Sequence, residues 1–130
     1  LEQTKTHLSR LEQIFEALGS STGRKKCAAM EGLVEEGQEA IELEGNPVVR
    51  DAALIAAAQR VEHYEIAAYG SVRTFANQLG LGDQSKLLQM TLDEEGETDK
   101  KLTALAEGNM FNDGINEKAT ATAANGKARR

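Results

Sequence analysis

Apolar residues recur at helical spacing along most of the chain, and the breaks between runs fall at glycine, asparagine and proline. Leu8, Leu11, Ile14, Phe15 and Leu18 predict a first helix from Leu1 to about Leu18, ended by Gly19 and followed by Ser20, Ser21 and Thr22. A second, from about Arg24 to Leu43, sets Cys27, Met30, Val34, Gly37 and Ile41 along one face. Glu44-Gly45-Asn46-Pro47 is a clear break, with Asn46 suited to the N-cap and Pro47 to the first helical position. The third helix then runs to about Leu79, roughly 50 Å at ~1.5 Å per residue. Asp83 is placed to cap a fourth, which Gly108 ends after Glu107. Gly96 inside it costs ~1 kcal/mol relative to Ala.

Short connections favour antiparallel neighbours, so these elements predict an all-α fold, an antiparallel helical bundle over residues 1–108. From Asn109 on, almost nothing apolar follows Ile115, and residues 109–130 are expected to be a flexible tail. One Pro, no Trp, two Tyr and three Phe suit helices packed through Ala and Leu better than a sheet. Leu1 is not a natural start, and a lost upstream segment is expected.

Two carboxylates interrupt the third helix's seam. Ile55, Ala58, Glu62, Glu65, Tyr69, Val72, Ala76 and Leu79 share one face, where an ionised Glu is costly unless paired or metal-bound. On the first helix His7 shares a face with Leu11, Ile14 and Leu18, while Glu2 lies on the solvent side. On the fourth, Leu88, Thr91, Glu95, Thr98, Leu102 and Leu105 form the seam, with Glu95 central and Glu94 and Asp99 beside it. His63 falls outside the seam and is expected on the surface. Three inward carboxylates and one imidazole suit a metal, and the carboxylate excess favours iron or manganese. The Glu-x-x-His pattern of bundle di-metal sites is absent, since His63 follows Glu62 directly and Thr98 stands three residues after Glu95. The same carboxylates can instead be neutralised by Arg or Lys, share a proton, or reach solvent, and His7 can be a hydrogen-bonded core residue.

Charge narrows the partners. The net charge of −6 divides into −8 over residues 1–108 and +2 over residues 109–130. An acidic body repels nucleic acid and anionic membranes and attracts cations. No basic patch is interleaved with aromatics, no glycine-rich loop follows a strand, and no apolar run approaches the ~20 residues that span a bilayer. The single cysteine, Cys27, lies on an apolar face, where a buried structural thiol is expected, and fits a reducing compartment.

Three blocks carry a family likeness. Lys26-Cys-Ala-Ala-Met-Glu-Gly-Leu-Val-Glu-Glu36, the run from Val49 through Gly70, and Leu87-Leu-Gln-Met-Thr-Leu-Asp-Glu-Glu95 resemble the YciF-like bacterial stress proteins of the ferritin-like superfamily. Residues 1–12 resemble that family's second helix. The resemblance implies a ferritin-like bundle in the cytosol, assembled as a dimer or larger homo-oligomer, with an upstream helix and its inward Glu missing. Glu62 and Glu65 resemble the Glu-x-x-Glu of rubrerythrin-type helices, and Glu95 the Glu of the last metal-bearing helix, with Thr98 where a His is expected. Gly96 stands where a helix-favouring residue such as Lys is expected.

Two functions follow as expectations. One is a stress-response protein with a carboxylate-rich di-metal site, iron or manganese, held by Glu62, Glu65, Glu95 and His7. The other is a non-enzymatic helical assembly or adaptor protein whose inward Glu residues are structural.

Overall fold

Local chemistry places the helix ends. The Asn46 side chain accepts a hydrogen bond from Val48 N at 2.9 Å, and Pro47 opens the helix behind it. At the other end Gly80 takes φ +73°, a left-handed conformation that suits glycine. Gly80 N then bonds Asn77 O at 3.1 Å and Leu81 N bonds Ala76 O at 2.9 Å, the Schellman pattern. That turn brings Leu81 onto the core.

The computed structural model of the chain describes residues 2–23 and 25–127. Its elements are α1 (Glu2–Ala17), α2 (Ala28–Glu42), α3 (Pro47–Gln78), α4 (Gly82–Glu107), the hairpin β1 (Gly108–Asn109) and β2 (Asn112–Asp113), and α5 (Ile115–Lys127). All four expected helices are present, with ends moved by a few residues. The expected starts of the first two, Leu1 and Arg24, lie outside the described residues. Asp83 sits in the first turn of α4 rather than before it. No helix among the described residues is long and apolar enough to cross a membrane.

The chain forms two units, and α3 and α4 each contribute to both. The first comprises α1, α3 from Tyr64, and α4 to Gly96. Its core is Ile14, Ala76 and Leu88, with Leu11, Tyr69, Leu81 and Leu87 packed against it. The expected α3 face turns slightly here. Val72 is exposed while Arg73 is half-buried and donates to Gln89 Oε1 at 2.9 Å, and Leu79 lies beyond the helix end.

The second unit comprises α2, α3 to His63, α4 from Glu97, the hairpin and α5. Ala40, Ala57 and Ala106 are its buried apolar residues among those described. The expected inward seam of α2 is corrected in part, because Val34 and Ile41 remain 60% and 55% exposed. They border an apolar groove of about 280 Å³ floored by Gly37, Ala57 and Ala58. Cys27 is exposed rather than buried, since α2 starts at Ala28 and leaves Cys27 on extended backbone ahead of the helical face.

The C-terminal segment also departs from expectation. Where a flexible tail was predicted from Asn109, the structure has the hairpin and α5, up to Lys127, while residues 128–130 lie outside the described residues. Gly114 O accepts from Lys118 N at 3.2 Å, and the Thr120 and Thr122 hydroxyls donate to the carbonyls four residues earlier. Composition hid this, because helix formation here relies on a glycine turn and local bonds rather than an apolar face. Gly108 makes the turn possible, with φ +75° and no room for a Cβ against Gly114 N and Asn112 O. Gly108→Ala is therefore expected to cost about 1–3 kcal/mol locally. Hydrogen exchange would show it as faster exchange of the hairpin amides, with α1 unchanged.

Candidate metal centre

The first unit gathers polar side chains from three helices around His7. The ring is buried because His7 lies on the same face of α1 as Ile14, with buried Arg10 between them. Its Nε2 lies 2.7 Å from Glu94 Oε2 and its Nδ1 lies 3.0 Å from Glu95 Oε1. Glu95 is only 4% exposed. One imidazole therefore spans two successive carboxylates of α4.

Glu94 is held from the other side as well. Arg10 Nη1 donates to Glu94 Oε2 at 2.7 Å and Nη2 to Oε1 at 2.8 Å, a bidentate pair. Nη1 also donates to Thr91 Oγ1 at 3.1 Å, and Thr91 is fully buried. The guanidinium bonds, helped by His7, hold the Glu94 carboxyl at about 2, well below its ordinary 4.5, although partial burial pushes the other way. The same pairing raises Arg10 above its usual value. A carboxylate so firmly ionised is acceptor only, so His7 Nε2 carries the proton between them.

That leaves Nδ1 facing Glu95 Oε1. Two lone pairs do not meet at 3.0 Å unless a proton or a cation lies between them. The spacing also matches neighbouring ligands of one ion with bonds of about 2.1 Å.

Further carboxylates adjoin this point. Glu65, on α3, offers an oxygen within 4.8 Å of one of Glu95. Glu62, one helical turn earlier on α3, offers another within the same distance of Glu65. Glu62 Oε2 is buried and makes no hydrogen bond among the described residues. Burial together with the negative charges of Glu65 and Glu95 raises the Tyr69 phenol above its ordinary value. The Tyr69 ring stands edge-on to His7, with centroids 6.4 Å apart.

The four residues expected from sequence are thus placed as follows. His7 meets Glu95, Glu65 lies close to Glu95 in the same unit, and Glu62 adjoins Glu65 along α3. His63 is turned away, 68% exposed, with Nε2 at 3.1 Å from Asp99 Oδ1. Arg10 was missed. Its His7–Arg10–Ile14 spacing was the available signal, but arginine is ordinarily assigned to the surface. Glu94 was read only as a flank.

A hard-oxygen set with one imidazole suits a divalent cation of the iron or manganese type. The His7–Glu95 pair, with the Glu65 carboxylate close to Glu95, fits such an ion. The Arg10–Glu94–His7 chain is also the arrangement that metal-ligating histidines adopt, with the far ring nitrogen donating to a carboxylate.

Comparison with known proteins agrees with the resemblance read from the sequence. Residues 1–120 match the family described as a domain of unknown function, DUF892. Protein YciF of Escherichia coli (strain K12) is 53% identical over 111 residues, covering 85% of this chain and 67% of the relative. The crystal structure of that stress protein superposes with a TM-score of 0.77 over 80% of this chain and 66% of that one. A solved structure of YcfI from Rhodopseudomonas palustris, proposed to be a structural protein, is 40% identical, with a TM-score of 0.75 over 81% of this chain and 67% of that one. The chain spans about two thirds of the length of these relatives.

Proposed function

Because the chain belongs to the DUF892 family, as the match over residues 1–120 establishes, we propose that it is a stress-response protein holding divalent iron or manganese between its helices. The stress-response part follows its likeness to the E. coli stress protein YciF. The metal part rests chiefly on one observation, the His7 Nδ1 and Glu95 Oε1 atoms facing each other at 3.0 Å. Glu95, Glu65, Glu62 and His7 are the proposed ligands, and the site is of the ferritin-like, di-metal kind. A redox metal held by carboxylates supplies electron exchange with dioxygen or peroxide when bound. The chain's own residues bind and orient it, and the burial of His7 and Glu95 limits water there.

The test is metal content by elemental analysis of protein purified without chelators, then titration of the stripped protein with Fe(II) or Mn(II) under anaerobic conditions. Near-stoichiometric uptake is expected. Glu65→Gln and Glu95→Gln should each weaken it by more than roughly 100-fold, beyond what outer residues contribute. Folded protein that takes up neither metal would sink the reading. The reading also takes the protein as a cytoplasmic homo-oligomer, and the mass of the same sample checks its assembly.

A second reading is favoured by Arg10, which already neutralises Glu94 without any metal. In that case the protein is a non-enzymatic assembly or adaptor, and the polar residues fix how helices pair. Glu62→Gln with Glu65→Gln would then leave the oligomer mass and melting unchanged, and the wild type would be metal-free.

A further inference from the structure

The metal ligands account for His7 and Glu95 but leave Arg10, Thr91 and Glu94 without a role. These three are unusual. Arg10 is a buried guanidinium joined to Glu94 by bonds of 2.7 and 2.8 Å and to the fully buried Thr91 by one of 3.1 Å. Burying an arginine is expensive, and replacing such a pair with apolar residues of similar volume is often neutral for stability. Stability alone therefore gives little reason for the arrangement. Its geometry gives a better one. An imidazole can rotate about its bond to Cβ, and it presents Nδ1 in one direction only if Nε2 is anchored.

We infer that Arg10 is a positioning residue, which clamps Glu94 so that Glu94 anchors His7 Nε2 and Nδ1 is held toward Glu95. The bidentate fork fixes both Glu94 oxygens, a constraint that a single-point ammonium does not supply. Thr91 fixes the fork in turn, through its hydroxyl at 3.1 Å from Nη1. The clamp lies on α1 and α4, so it also joins the helix that carries His7 to the helix that carries Glu95. The function assigned to it rests on the metal reading above, but the orientation of the ring does not.

Two readouts separate these levels. The first is the His7 Nε2 proton in the metal-free protein, followed by proton and nitrogen-15 NMR. In the wild type this proton is expected as a slowly exchanging resonance, since it is buried and bonded to Glu94. The second is anaerobic titration with Co(II) alone, read by its visible absorption. Arg10→Met should lose the resonance and bind Co(II) about 10- to 100-fold more weakly. Arg10→Lys, which keeps the charge and loses the fork, should fail to restore either. Arg60→Met, which breaks only an exposed pair with Glu36, should change neither.

Arg10→Met that keeps both the resonance and wild-type Co(II) affinity overturns the assignment. If that variant does not fold, Glu94→Gln takes its place and must show the same two losses. If the wild type takes up no Co(II), the metal reading falls. The resonance then decides alone, its loss in Arg10→Met supporting the clamp and its survival overturning it.

Discussion

Glu94→Ala is expected to lower the unfolding free energy by about 3 kcal/mol, more than its partly exposed position suggests. The cost comes from what is left behind. Arg10 would remain buried with Thr91 as its remaining partner in the network, and His7 would lose the acceptor of its Nε2 proton. Breaking one half of a buried pair costs about 3–5 kcal/mol, because a desolvated charge stays uncompensated. Glu94 itself is 28% exposed, which places this pair at the lower end. Arg10→Met should by contrast lie within about 1 kcal/mol of wild type, since Glu94 keeps His7 and solvent. The double variant should recover most of the loss, and urea unfolding of all three gives the cycle. Additive losses would mean that the two side chains act independently.

The same pair gives a signed pH dependence. The Glu94 carboxyl is held at about 2 in the folded protein against 4.5 ordinarily. A group with a depressed folded value stabilises fully above its unfolded value and loses that contribution as pH falls through the folded one. The stability difference between wild type and Glu94→Gln should thus be constant above about pH 4.5 and shrink between there and pH 2. Solvent screening at a carboxylate more than a quarter exposed limits the acid-sensitive part to ~2 kcal/mol or less.

Leu88→Ala should be comparably damaging, at about 2–4 kcal/mol. Leu88 is 3% exposed and stands in the core with Ile14 and Ala76. Removing its branched end leaves a cavity beside one residue that is already Ala and another fixed on a separate helix, so little can move in to fill it. The urea midpoint should fall while the slope against denaturant stays the same. A loss under 1 kcal/mol would show that the surrounding helices collapse onto the gap.

Periodicity and punctuation made the helices legible. Asn46-Pro47 and Gly80 act where their chemistry says they should, and the wheel placed His7 and Glu95 inside and His63 outside. Three things were not legible, each for a physical reason. Val34 and Ile41 sit on a face that looks apolar in projection, but a wheel does not say whether a neighbour arrives to cover it, and Cys27 falls ahead of the helix start. The hairpin and α5 depend on Gly108 meeting Gly114, a contact between backbones that leaves no apolar pattern. Arg10 is buried against its usual habit because Glu94, more than eighty residues away in sequence, compensates its charge. Long-range pairing of this kind has no local signature.

The small size of the buried apolar residues has a thermal consequence. Ala40, Ala57, Ala76 and Ala106 are all buried, and burying Ala costs no rotamer entropy but removes little hydrocarbon from water. Heat-capacity change on unfolding scales with the apolar area exposed. A core made largely of alanine is expected to lower that change and so to flatten the curve of stability against temperature.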